Sequence, residues 1–123
     1  MEMTTMKIRT IINDMIAETN TLINTYDELV IKRYWIRYKY ELQKAIEMLD
    51  DFTDAFVDDY KEGFEWSVRD VLRKLRGDYM ENRAIAFPYK AELIHITEIR
   101  FAIKALEDLL FRIDVNRDIC DIG

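Results

Sequence analysis

Between Thr5 and Tyr60 the chain has neither glycine nor proline, and its apolar residues recur every three or four positions. That is the repeat of an amphipathic helix. Turning successive residues by roughly 100° brings Ile8, Ile11, Ile12, Met15, Thr19, Leu22, Ile23 and Tyr26 onto one face. A second seam follows: Ile31, Trp35, Tyr38, Leu42, Ala45, Ile46, Leu49, Phe52, Phe56 and Tyr60. On one ideal helix the two seams fall on nearly opposite sides, so a break is required. It is placed near Asn24, where Thr25 and Glu28 have the spacing of a capping box. The alternative is one continuous helix packed on two sides. The run Val30 to Tyr40 is rich in β-branched and aromatic residues and also fits an alternating strand. The helical seam passes through it unbroken and no partner strand is evident elsewhere, so helix is predicted.

After Gly63, the residues Phe64, Val68, Val71, Leu72 and Leu75 line a short helix, which Gly77 is placed to stop in a left-handed turn. Residues 78 to 87 read as a connector or another short helix. Pro88 falls in the first turn of the final helix, whose core face carries Ile99, Ala102, Ile103, Leu106, Leu109, Leu110 and Ile113 and whose end lies near Asn116. The predicted fold is all-α: an elongated antiparallel helical bundle with two long amphipathic helices, one medium helix and one or two short helices. It forms one domain over residues 1–123, with frayed ends at 1–4 and 117–123. At 123 residues the chain is long enough to bury a core without disulfides or a structural metal.

Composition narrows the chemistry. The single cysteine, Cys120, permits no intramolecular disulfide, and the stretch MEMTTMKIRTIIND lacks the apolar run of a signal peptide or membrane span. A cytoplasmic setting without membrane association follows. Three glycines and one proline are too few for a β-rich fold or a glycine-rich phosphate loop, and no nucleophile elbow, CxxC pair or Ser-His-Asp set is present. No cofactor is predicted.

Three constellations remain. Glu92 and His95 have the Glu-x-x-His spacing of carboxylate-bridged metal sites and are expected on the core side of the last helix, but a lone histidine supplies only half of such a site. The acidic run Glu47, Asp50, Asp51, Asp54, Asp58, Asp59 and Glu62 contains paired carboxylates that suit Mg²⁺-dependent hydrolysis of nucleoside triphosphates. Most of these acids lie opposite Leu49 and Phe56, which favours a solvated or partner-facing stripe over a catalytic site. Lys32, Arg33, Arg37, Lys39 and Lys44 interleave with Tyr34, Trp35, Tyr38 and Tyr40, and a second basic strip comprises Arg69, Arg73 and Arg76. Both suit nucleic acid locally, against an overall charge of −6.

The distinguishing feature is charge segregation. Residues 31 to 44 carry five basic residues and one acid, whereas residues 45 to 65 carry eight acids and one basic residue. This order opposes the helix dipole, so backbone electrostatics does not explain it. Pairing within the bundle, solvation and a charged partner are the available explanations. The sequence therefore predicts a non-catalytic protein–protein interaction module, a small regulator, adaptor or inhibitor, with the acidic face as a possible nucleic-acid mimic. The expected contact residues are Arg33, Arg37, Tyr40, Lys44, Glu47, Asp51, Asp54 and Asp58, and a second copy of the chain is an expected partner. Leu93, Ile94, Phe101 and Phe111, placed away from the core face of the last helix, call for a second cover. The Mg²⁺-dependent pyrophosphohydrolase is the alternative, and a nucleic-acid-binding regulator the third reading.

Overall fold

The computed structural model describes residues 3–54, 57, 63–86 and 90–122, with the helical backbone alone at 85–86, 90–92 and 118–122. It contains four helices, α1 (Thr5–Thr25), α2 (Leu29–Leu49), α3 (Phe64–Ala86) and α4 (Lys90–Ile122). No strand occurs among the described residues.

The seams become the core. Ile8, Ile12 and Met15 of α1, Leu42, Ala45 and Leu49 of α2, Phe64, Val68 and Leu72 of α3, and Ala102, Leu109 and Ile113 of α4 are all buried in one cluster. Val30 to Tyr40 is helical throughout. Cross-helix pairs set the directions. Thr5 meets Asp54 and Arg9 meets Asp50, so α1 runs against α2. Glu65 meets Arg117 and Arg76 meets Glu107, so α3 runs against α4. Arg33 meets Glu98 and Tyr38 meets Asp108, so α2 and α4 run the same way. α2 and α4 form the central pair; α1 packs chiefly on α2 and α3 chiefly on α4.

Several boundaries differ from the sequence reading, each for an identifiable reason. The break between the first two helices falls at residues 26–28, but no capping box forms. The Thr25 hydroxyl donates instead to the Thr21 carbonyl at 2.8 Å, and Glu28 caps α2 without a side-chain bond. α2 stops at Leu49, short of the predicted extension to Phe56. Its end carries Asp50 and Asp51, which the helix dipole disfavours there, and backbone bonds from Asp51 to Met48 (3.1 Å) and from Phe52 to Leu49 (3.0 Å) tighten the chain into a turn. Phe52 still joins the core, edge-on to Phe64 with ring centroids 6.2 Å apart. Phe56 and Tyr60 lie outside the described residues.

Gly77 does not stop α3, which continues to Ala86 and absorbs most of the predicted connector. A glycine inside a helix costs about 1 kcal/mol, an amount that the buried contacts of Leu72 and Leu75 outweigh. Pro88 lies outside the described residues. α4 runs past Asn116 to Ile122, with Arg117 bound to Glu65 at 2.9 Å.

Candidate functional site

The charged stripe of α2 resolves into three environments. In the first, Glu41 is 1% exposed. Burying an ionised carboxylate is costly unless cations accompany it. Arg37 Nη2, one turn earlier, approaches its Oε1 at 3.1 Å, and Lys44 Nζ, one turn later, at 3.3 Å. Both are ion pairs without an aligned hydrogen bond, and Arg37 Nε has no hydrogen-bond partner either. The Tyr40 ring lies over the same two cations, 5.9 Å from the Arg37 guanidinium carbon and 4.9 Å from Lys44 Nζ. A ring quadrupole beside paired cations favours this arrangement further.

The second environment joins α2 to its neighbours. Arg33 pairs with Glu98 of α4, itself largely buried. Tyr38 donates its hydroxyl to Asp108 at 2.7 Å, and burial together with that carboxylate pushes its pKa far above the ordinary phenol value. Phe101 is covered from within the bundle, stacked on Tyr34 at 5.2 Å and edge-on to Trp35 at 5.1 Å. At the other end of α2, Asp50 pairs with Arg9. Asp54 accepts from the Thr5 backbone N–H at 2.8 Å and the Thr5 hydroxyl at 2.7 Å. Those bonds, the backbone one first, hold the Asp54 carboxyl below the usual carboxylate range. Asp54 thus anchors the start of α1 rather than standing free in a stripe.

The third environment is the outer face. Leu29, Ile36 and Tyr40 are 82%, 52% and 49% exposed. Their spacing of seven and four residues puts them on one side of α2, in line with Arg33, Glu47 and Asp51. Glu47 and Asp51 are exposed, have no ion pair among the described residues, and line an open groove of about 460 Å³ between α2 and α3.

The eight expected contact residues therefore do not act as one surface. Arg37, Tyr40 and Lys44 gather around Glu41, while Glu47 and Asp51 follow in the same groove. Arg33 and Asp54 are tied to α4 and α1, and Asp58 lies outside the described residues. Glu41 is the residue the sequence reading missed. Its signal was Arg37 four residues before and Lys44 three after, both on its own helical face.

The other constellations separate. Asp50 turns to Arg9 of α1 while Glu47 lines the groove toward α3, so this pair does not converge. His95 is exposed rather than core-facing, because the α4 core face begins one residue later at Ile96; the Glu92 side chain lies outside the described residues. No group of three or more His, Cys, Asp or Glu able to hold a metal ion occurs among the described residues. Of the second basic strip, Arg73 is held by Asp70 at 2.6 Å and Arg76 by Glu107 at 3.5 Å, and Arg69 is exposed. Phe111 and Leu93 remain 68% and 47% exposed. Among the described residues, no helix is long and apolar enough to cross a membrane. The chain matches no family model, no curated protein and no solved structure.

Proposed function

We propose that this chain is a non-catalytic helical interaction module, an elongated antiparallel bundle whose α2 outer face docks a protein partner, foremost a second copy of itself. The observation that carries the reading is the stripe Leu29, Ile36 and Tyr40, exposed on α2 and continued by the exposed acids Glu47 and Asp51, which have no ion pair among the described residues. Two copies laid antiparallel with Tyr40 at the two-fold axis set Arg33 of each beside Glu47 of the other. Ile36 then meets the aliphatic stem of Lys44, and the Tyr40 rings face one another. A parallel arrangement opposes Arg33 with Arg33 and Glu47 with Glu47. Exposed ion pairs contribute only about 0.2 to 1 kcal/mol each, so the charges select orientation while Ile36 and Tyr40 supply most of the affinity.

The partners found inside the bundle decide which substitutions test this cleanly. Reversing Arg33, Arg37 or Asp54 also disturbs Glu98, Glu41 or the start of α1. Ile36→Glu lies on the outer face and Glu47→Lys with Asp51→Lys where that face meets the α2–α3 groove, and none of the three residues has an ion pair among the described residues. Analytical ultracentrifugation should show a wild-type dimer, a monomer for Ile36→Glu, and weakened association for the lysine pair, all with unchanged helicity. A wild-type monomer up to its solubility limit removes self-association, and a dimer indifferent to Ile36→Glu places the contact elsewhere.

A further inference from the structure

On the side of the molecule formed by α3 and α4, cations collect where a chain of net charge −6 has few to spare. Arg76, Tyr79 and Arg83 recur along one face of α3, and Thr97, Arg100, Lys104 and Glu107 along one face of α4. Arg76, Tyr79, Thr97, Arg100, Phe101, Ile103, Lys104 and Glu107 together line an open trough of about 690 Å³. Its cations are loosely committed. Arg76 is 3.5 Å from Glu107 and Lys104 is 3.4 Å from Asp108, with both cations more than half exposed. Asp108 already accepts the Tyr38 hydroxyl at 2.7 Å. Arg100 is exposed and has no ion pair among the described residues. Among the described lining residues, three cations thus face one acid, Glu107.

We infer that this trough binds a compact polyphosphate group, with Arg76, Arg100 and Lys104 holding the phosphate oxygens. Arginine forks match phosphate geometry and lysine adds a movable point charge. Arg100 and Lys104 stand one helical turn apart, about 6 Å along the axis, a spacing that suits neighbouring phosphoryl groups. Tyr79 adds a flat ring and a hydroxyl at the edge of the same trough. The volume falls within the range of small-molecule sites. A short ligand is favoured over a nucleic-acid strand because the lining cations span only about two helical turns, roughly 10 Å, and the net negative charge opposes a long polyanion. Sodium tripolyphosphate and a nucleoside triphosphate share the recognised chemistry and differ only in the base and sugar.

Isothermal titration at low salt provides the test, using tripolyphosphate, a nucleoside triphosphate and a single-stranded DNA twelve-mer as probes. Tripolyphosphate should bind at one site. Arg100→Gln with Lys104→Gln should weaken it at least tenfold, while Lys74→Gln with Lys32→Gln, an equal loss of charge outside the trough, should change it less than threefold. Glu107→Gln removes the one acid and should tighten binding, a gain that a folding defect cannot produce. A nucleoside triphosphate binding tenfold tighter than tripolyphosphate assigns the site to nucleotides, and equal affinity assigns it to the polyphosphate alone. No saturable binding of either compound, equal losses in both double variants, or a twelve-mer that binds tenfold tighter than both overturns the inference.

Discussion

Along α2 as far as Lys44 the cations are largely consumed inside the molecule: Arg33 by Glu98 across the α4 contact, Arg37 and Lys44 by the buried Glu41. Beyond Ala45 the acids divide, with Asp50 and Asp54 bound to α1 and Glu47 and Asp51 without an ion pair among the described residues. The charge reversal between α2 and the segment that follows it thus arises from two separate causes. The basic half is mainly structural, because it neutralises Glu41 and Glu98, two carboxylates that folding has taken out of water. The acidic half is structural only where it reaches α1, and what remains faces outward beside Ile36 and Tyr40.

That contrast can be broken by substitution. The largest effect is expected from comparing Leu42, fully buried, with Ile36, half exposed on the same helix. Leu42→Ala should cost about 2 to 5 kcal/mol in chemical denaturation, and Ile36→Ala less than about 0.5 kcal/mol under conditions where the protein is monomeric. A smaller gap is expected between the two charged groups. Arg37→Ala strips Glu41 of one of its two cations and should cost about 1 to 3 kcal/mol, whereas Glu47→Ala should stay within about 0.5 kcal/mol. Equal losses in urea unfolding show that Glu41 finds its compensation elsewhere.

The smallest effect concerns Asp54. Its carboxyl titrates below the usual range in the folded state, so its contribution to stability is present above the ordinary carboxylate pKa. The contribution is lost as pH falls through the lower folded value. Wild type and Asp54→Asn should therefore differ by a constant amount near neutrality and converge below about pH 4. Unfolding midpoints measured across that range check the sign, and a gap that widens in acid contradicts it.

The inward faces were legible because helical periodicity is a property of the residues themselves. Ile8, Ile12 and Met15, Leu42 and Leu49, and Leu106 and Leu109 lie where their spacing put them. What spacing does not contain is the position of a neighbour. Phe101 looked uncovered because nothing in the sequence says that Tyr34 and Trp35 lie beside it. Glu41 was not singled out at all, because spacing alone does not tell a buried acid from an exposed one. Asp54 read as part of an acidic run, although its role is set by an amide 49 residues earlier. Gly77 was misjudged because a local stop signal was read without the tertiary contacts that overrule it, and the end of α2 because the continuing apolar seam was read past Asp50 and Asp51, acids that the helix dipole disfavours there.

Orientation across the proposed dimer is the most direct test of the role given to the α2 outer face. A spin label at Glu28→Cys, an exposed position at the start of α2, with Cys120→Ser to remove the native thiol, reports the distance between two copies by pulsed electron resonance. With Tyr40 at the axis, the two labels are separated by a rise of 24 residues, about 36 Å. A distance near 35 to 45 Å, allowing roughly one label arm beyond that rise, is the predicted result. A distance below about 20 Å, roughly half of that rise, or no intermolecular signal contradicts it.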